Sequence, residues 1–163
     1  MISLWTDTVI LAPAERCFDL ARSVDLHAAS ASVIQGKALA GRTSGLSALG
    51  DRTTWSARFF GMRFSLTTRI TAFDRPRSFS DVICAGLFTH FGHVYTFQPT
   101  GVGRTLMTDE FSFQSPFGIL GAAFDTLILR RRMRTVMDSR ARCVKRVAES
   151  EEWRTYLTQE GTA

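Results

Sequence analysis

A run of six strand-like segments between Ser32 and Phe113 constrains this chain more than any other feature of its sequence. The breaks between the segments are short and carry residues typical of turns, as in 74–77 (DRPR) and 99–103 (PTGVG). Short breaks connect antiparallel neighbours, because two parallel strands need a long crossover between them. The predicted strands are 33–42, 51–60, 63–73, 78–85, 90–98 and 104–113.

Helix signals flank this run of strands on both sides. Residues 2–11 alternate apolar and polar side chains, which predicts a half-buried first strand. Pro13 then suits the first turn of a short helix, and a second short helical turn is expected over residues 25–31. After the last strand, Ser115 and Pro116 predict the N-cap and first position of a long C-terminal helix.

The long helix carries an apolar stripe at helical spacing, formed by Phe117, Leu120, Phe124, Leu127 and Ile128. A seven-stranded antiparallel sheet of this length curls, and a helix laid across its concave face buries both apolar surfaces. The sequence therefore predicts an α+β fold with a seven-stranded curved antiparallel sheet around a long C-terminal helix, and with two short helices after strand 1. A gap between sheet and helix is a ready ligand cavity.

Length and composition favour one soluble domain. The chain has 163 residues, of which 45% are hydrophobic and 21% charged, so a sizeable core is possible without metals or disulfides. We expect the domain to cover residues 1–150 and a polar C-terminal tail to cover 151–163. The sequence has no signal-peptide pattern at its start and no apolar run long enough to span a membrane, which makes the cytoplasm the expected location.

Three predicted strands each place one ionisable residue on the more aromatic face. Because side chains alternate along a strand, Asp81, His93 and Asp109 are all expected to point inward. If the connecting turns are tight, Asp81 lies roughly opposite His93, and His93 roughly opposite Asp109. A row of carboxylate, imidazole and carboxylate could bind a polar group of a ligand or exchange protons with it.

The same alternation predicts the remaining cavity wall. Tyr95 joins the three ionisable residues at the polar end, and Trp55 and Phe59 face inward from an earlier strand. The apolar helix stripe would close the cavity from above. The full predicted ligand-binding set is Trp55, Phe59, Asp81, Phe91, His93, Tyr95, Asp109, Phe111, Phe124 and Leu127.

A purely structural interpretation of the polar residues remains open. Asp81 and Asp109 could pair with Arg58, Arg63 or Arg69 on neighbouring strands or cap turns, and His93 could be a core histidine. No catalytic residue is assigned on this basis.

Metal and cofactor sites are not expected. His90 and His93 are three residues apart on one predicted strand, so they point to opposite faces and cannot hold one ion. The sequence also lacks the glycine-rich motifs that bind nucleotide phosphates.

Arginine is concentrated in the middle of the long helix, where Arg130, Arg131, Arg132 and Arg134 follow one another closely. This cluster is either the solvated outer face of the helix or a patch for an anionic membrane surface. Nucleic acid is not an expected partner, because the segment has no aromatic residues interleaved with its charges. The oligomeric state is left undetermined.

Four stretches resemble the START, polyketide-cyclase and birch-pollen-allergen superfamily, in particular its bacterial cyclase/dehydrase-like branch. They are AGRTSGL at 40–46, GDRTTWSARFFG at 50–61, ITAFDRPRSFSD at 70–81 and LMTDEFSFQSPFGILG at 106–121. The resemblance covers residues 2 to about 150 and implies the helix-grip fold, whose sheet grips the C-terminal helix. Members carry a His-x-His pair on a middle strand, where this chain has His93 and Tyr95.

The resemblance implies three functions. The first is a binding or carrier protein for a small hydrophobic molecule, such as a lipid, a sterol-like compound or an aromatic polyketide. The second is a cyclase or dehydrase that uses Asp81, His93 and Asp109 for acid–base chemistry. The third is a protein- or ribosome-interaction module.

Overall fold

The computed structural model describes residues 1–59, 61–116 and 118–157, without the side chains of residues 32, 33 and 59. The strands are β1 (Ile2–Ile10), β2 (Lys37–Gly41), β3 (Arg52–Phe59), β4 (Met62–Asp74), β5 (Ser78–Ala85), β6 (His90–Gly101) and β7 (Arg104–Gln114). The helices are α1 (Ala14–Ala21), α2 (Val24–Ser30), α3 (Gly118–Phe124), α4 (Arg130–Ala148) and α5 (Trp153–Leu157). A 3-10 turn covers Ala31–Ile34, and a π-helical turn, Asp125–Leu129, joins α3 to α4.

All seven strands form one antiparallel sheet in the order β1-β7-β6-β5-β4-β3-β2. Strands β2 to β7 are neighbours in chain order because short turns connect them, and β1 closes the far edge against β7. The predicted α+β architecture, a curved seven-stranded sheet with a long C-terminal helix, is confirmed. The predicted second strand is shortened at its start, because residues 31–34 form the 3-10 turn.

Helix α4 packs one face against the sheet. Met133, Met137, Ala141 and Val144 are buried at intervals of three or four residues, as expected for the inner face of an amphipathic helix. No helix in the described ranges is long and apolar enough to cross a membrane.

The C-terminal half of α4 belongs to the larger apolar core, which is filled by Phe18 of α1. The Phe18 ring meets those of Phe73, Phe79 and Phe97 edge-on at centroid distances of 5.2, 5.3 and 5.5 Å. This arrangement is favourable for aromatic rings. Trp153 of α5 packs against the same core, so the segment predicted as a polar tail includes a docked helix.

The start of the C-terminal helical segment differs from the prediction. Instead of capping a helix, Ser115 donates hydrogen bonds from its backbone N–H (2.9 Å) and its hydroxyl (2.5 Å) to the buried carboxylate of Asp125. A Cβ on Gly121 would lie 1.9 Å from the Pro116 carbonyl oxygen, so only glycine allows α3 to approach this close. The two contacts hold the Gly121–Asp125 side of the helix inward.

This anchoring explains why the predicted apolar stripe faces outward and not towards the sheet. The buried positions in this segment are Gly121, Asp125, Leu129 and Met133, spaced by four residues. An α-helix has 3.6 residues per turn, so positions four residues apart drift around its axis. The wider π-helical turn reduces this drift and keeps the buried positions on one face. Of the predicted stripe, Leu120, Phe124, Leu127 and Ile128 are exposed, and Phe117 lies outside the described residues.

Candidate functional site

A cavity of about 110 Å³ lies between the sheet and the N-terminal half of α4. Strands β3 to β7 form its floor, and α2, the 3-10 turn and α4 form its sides. Most of the wall is apolar, with Trp55, Ala57, Leu66, Phe91, Phe111 and Met137 among its members. Polar side chains gather at one part of the wall, namely His27, Thr68, Asp81, His93 and Arg140.

Half of the predicted ligand-binding residues line this cavity: Trp55, Asp81, Phe91, His93 and Phe111. The Trp55 ring stacks on that of His27 at a centroid distance of 4.3 Å. Phe111 meets Phe91 edge-on at 4.8 Å. The alternation of side chains along the strands therefore located the wall of the cavity correctly.

The strand register brings the predicted polar residues together. Asp81 of β5 lies directly opposite His93 of β6, as predicted. Asp109 pairs with Tyr95, whereas His93 pairs with Phe111, so Asp109 lies diagonally from His93. The shift arises because β6 continues to Gly101, past the end predicted at residue 98, which moves the centre of the turn.

Tyr95, His93 and Asp109 form a hydrogen-bonded relay, with Tyr95 and Asp109 wholly buried behind His93. The Tyr95 hydroxyl lies 3.0 Å from His93 Nδ1, and His93 Nε2 contacts Asp109 Oδ1. A neutral imidazole satisfies both contacts if Nε2–H donates to the carboxylate and Nδ1 accepts from the hydroxyl. Burial raises the pKa of Tyr95 well above its usual range, so the hydroxyl keeps its proton.

This relay occupies both ring nitrogens of His93. Asp109 Oδ2 is buried without a hydrogen-bond partner within the described residues, so His93 is the principal partner of that carboxylate. A buried charge of this kind is costly to leave unpaired. In this arrangement His93 holds the buried carboxylate in place and presents the face and edge of its ring to the cavity.

Asp81 is the carboxyl group that faces the cavity. Burial raises its pKa, while the nearby charges of His93 and Arg140 act in the opposite direction to a smaller extent. Two of the three arginines considered as partners donate elsewhere: Arg58 donates to the Gly61 carbonyl at 3.2 Å and Arg63 to the Ser56 hydroxyl at 3.2 Å. No ion pair joins Asp81 to either arginine in the described part of the chain.

Arg140 is a buried residue of the site that the sequence interpretation missed. It is 8% exposed and donates to the Ala21 carbonyl at 2.7 Å and to the His27 ring. Its guanidinium carbon lies 4.8 Å above the centre of the Tyr95 ring. A signal was available in the sequence, because Arg140 lies at helical spacing from the apolar residues Met133, Met137 and Val144.

The sequence interpretation also missed His27. It faces the cavity from α2 and accepts a hydrogen bond from Arg140. Burial, together with the Arg140 charge, lowers the pKa of His27 well below its usual 6.5. The ring is therefore neutral at pH 7.

The other predicted residues lie away from the cavity wall. Phe124 is half exposed and Leu127 is 77% exposed on the outside of the helical segment. The prediction that they close the cavity from above is therefore wrong, because the contacts of Gly121 and Asp125 hold the opposite side of the helix inward. The side chain of Phe59 lies outside the described residues.

Comparison with known proteins finds a family model that matches most of the chain. Residues 1–149 match the family model described as polyketide cyclase / dehydrase and lipid transport. No curated protein matches the chain.

Solved structures resemble the chain in fold, at low sequence identity. The Zhui aromatase/cyclase from Streptomyces is 14% identical with a TM-score of 0.70, over 97% of this chain and 98% of that one. A START superfamily protein from Mycobacterium smegmatis is 12% identical with a TM-score of 0.67, over 90% and 97%. A major latex-like protein from Panax ginseng is 14% identical with a TM-score of 0.65, over 91% and 97%.

Proposed function

Since this chain belongs to the family described as polyketide cyclase / dehydrase and lipid transport, we propose that it binds a small hydrophobic molecule between the sheet and α4. The observation that carries the proposal is the cavity itself, an aromatic and aliphatic space with polar groups at one part of its wall. Such a site takes up an apolar body and orients it through a few polar contacts.

The size of the cavity limits which ligands it can hold. Its volume of about 110 Å³ is below the ~300 Å³ of ordinary ligand pockets and close to that of cavities that hold a single aromatic ring. We expect the closed form to admit one ring or a short chain. A sterol, a long lipid or a fused polyketide would require the sheet and helix to separate.

Native mass spectrometry of the protein purified from its own host tests the proposal. We expect a discrete apolar molecule at near-stoichiometric level, recovered by solvent extraction. Ala57→Phe, which projects a ring into the cavity, is the matched control and should carry none. An empty wild-type protein that shows no thermal shift with ring compounds, lipids or sterols would contradict the proposal.

A second candidate function is a cyclase- or dehydrase-type reaction that begins with proton removal. The observation that favours it is Asp81, a carboxyl group with a raised pKa beside His93 in an apolar cavity. Such a carboxylate is a stronger base than one in water. It would accept a proton from the carbon between two carbonyl groups, while the C–H electron pair forms a C=C bond and the π pair of one carbonyl moves onto its oxygen to give an enolate, with the His93–Asp109 pair as support.

Exchange of deuterium into a β-diketone with one aromatic ring tests this second function. We expect the wild-type protein to accelerate exchange at the carbon between the carbonyls, and Asp81→Asn to abolish the acceleration while retaining binding of the diketone. Equal exchange rates for the wild type and Asp81→Asn would rule out Asp81 as the base.

A further inference from the structure

The charge at the polar part of the cavity is unbalanced, and Arg140 is its source. An arginine keeps its positive charge in any protein environment. The two groups that accept its hydrogen bonds, the Ala21 carbonyl and the His27 ring, are both neutral. Within the described ranges no carboxylate lies at ion-pair distance from Arg140, which is unusual because buried charges are normally paired.

The carboxyl groups nearest to Arg140 do not supply the missing charge. Asp109 is already bonded to His93. Asp81 is close enough to feel the charge of Arg140, but no hydrogen bond or ion pair joins the two groups within the described residues, and burial raises the pKa of Asp81.

A recess of about 40 Å³ lies next to these groups. It shares His27, Trp55, Thr68, Asp81 and Arg140 with the main cavity and extends towards the end of α1. Two further charged residues line it and are paired elsewhere, Arg22 with Asp19 and Asp51 with Arg42. The Nε of Arg140 makes no hydrogen bond to the residues described, and guanidinium groups bind planar anions through such donors. The recess is therefore a place for a small charged group at the end of an apolar ligand.

We propose that the cavity selects an anionic amphiphile, whose apolar body contacts Trp55, Phe91 and Phe111 and whose carboxylate or enolate oxygen binds Arg140. This inference rests on the proposed ligand-binding function and specifies the ligand class. It also gives Arg140 a role as the residue that determines specificity.

Calorimetric titration with 4-ethylbenzoate and 4-ethylbenzyl alcohol tests this inference, because the two single-ring probes share an apolar body and differ in charge. We expect the wild type to bind the carboxylate on the order of ten-fold more tightly or better, as charge-assisted hydrogen bonds predict. Arg140→Met should lose this preference and still bind the alcohol, which also shows that the variant folds. Arg140→Lys, which retains the charge, should keep part of the preference.

The outcomes separate the inference from the function on which it rests. If the wild type binds both probes equally, the anion preference is wrong and hydrophobic binding stands. If the wild type binds neither probe, both are overturned. If Arg140→Met keeps the full preference for the carboxylate, Arg140 is not its cause.

A separate observation concerns the outside of the helical segment. Ile119, Leu120, Leu127 and Ile128 form an outer apolar face, with Ile119, Leu120 and Leu127 exposed by 89%, 80% and 77%. Such a concentration of exposed aliphatic side chains normally marks an interaction surface. The face ends at Ile128, directly before Leu129, which packs with the cavity residues Phe111 and Met133.

The charges next to this face are positive. Arg130 and Arg131 follow it directly and are exposed, whereas Arg134 turns back to donate to the Trp5 carbonyl. Asp125 is the only acidic residue between Phe111 and Met137, and it is buried. An aliphatic face bordered by arginine and free of exposed carboxylates complements an anionic lipid surface.

We infer that the outer apolar face and the adjoining Arg130 and Arg131 dock on anionic phospholipid membranes. Vesicle co-sedimentation with phosphatidylcholine alone, or mixed equally with phosphatidylglycerol, tests this. We expect binding only to the mixed vesicles and a decrease with added salt.

Leu120→Asp with Leu127→Asp should abolish binding, and Arg130→Gln with Arg131→Gln should weaken it several-fold. Val102→Asp, which changes an equally exposed aliphatic residue at the β6–β7 turn, is the matched control and should bind as the wild type does. Absence of vesicle binding overturns the inference, and a wild-type dimer that dissociates on Leu127→Asp would assign the face to a second copy instead.

Discussion

The two halves of the sheet–helix interface are built from similar residues but are filled differently. At the C-terminal half of α4, the Phe18 ring from α1 enters among Phe73, Phe79 and Phe97. At the N-terminal half, Phe91, Phe111 and Met133 surround a cavity. Among the described residues, no side chain from the opposite layer occupies the middle of that half in the way Phe18 does.

The difference lies in which element covers each half. Helix α1 supplies the large Phe18 ring to one half, whereas the 3-10 turn and α2 supply Ala31, Ile34, Ser30 and His27 to the other. These four side chains line the cavity and leave the space above its aromatic floor open. The packed half therefore provides most of the stability, and the open half leaves space for a ligand, a division that the following substitutions test.

The largest effect is expected in the packed half. Phe18→Ala should lower the free energy of unfolding by about 3–5 kcal/mol, because the ring is fully buried and its removal leaves a cavity. Phe91→Ala in the open half is the matched control and should cost less than half as much. Urea denaturation measures both, and equal losses would contradict the division.

The polar relay is expected to contribute the most stability in the open half. His93→Phe should cost about 3 kcal/mol, because it leaves the wholly buried Asp109 carboxylate without its partner. The double variant His93→Phe with Asp109→Leu removes the stranded charge and should recover much of the loss. A double variant no more stable than His93→Phe would show that the cost comes from packing instead of charge.

Replacement of alanine by leucine should have different effects in the packed half and in the open half. Ala141→Leu overfills the packed core and should cost about 1–3 kcal/mol. Ala57→Leu extends into the cavity and should leave stability unchanged or slightly higher, while weakening ligand binding. Thermal unfolding and titration with 4-ethylbenzyl alcohol compare the pair, and similar destabilisation by both would show that the cavity is already filled.

The packed half and the sheet could be predicted from sequence, because strand alternation and short turns act over a few residues. That logic placed Asp81 opposite His93 and put Trp55 and Phe111 on the cavity wall. The helical segment could not be predicted in the same way. Its orientation depends on Gly121 against the Pro116 carbonyl and on Asp125 with Ser115, two tertiary contacts that override the apolar stripe containing Leu127.

Arg140 and His27 escaped prediction for a related reason. An arginine within a cluster of arginines resembles a solvated residue, and only the position of the helix on the sheet makes it buried. His27 gains its role from Trp55 and Arg140, which lie far away in sequence. Polar groups in a site depend on partners that local patterns do not specify.

The smallest predicted effect is a dependence of stability on pH. It distinguishes the two halves further, because it arises from His27 in the open half. Below pH 6.5, the ordinary pKa of His27, the unfolded chain binds a proton on this ring that the folded protein does not bind. The stability conferred by neutral His27 is therefore present above pH 6.5 and is lost as the pH falls, by about 1 kcal/mol near pH 5.5.

His27→Gln keeps an acceptor for Arg140 but cannot be protonated in this range, so its stability should fall less than that of the wild type. Urea denaturation at several pH values measures the difference between the two proteins, which cancels the contribution of the carboxylates they share. Parallel curves for wild type and variant would mean that His27 is protonated in the folded protein. A ring protonated beside Arg140 would make the cavity still more positive, so the same result would predict tighter binding of 4-ethylbenzoate at low pH.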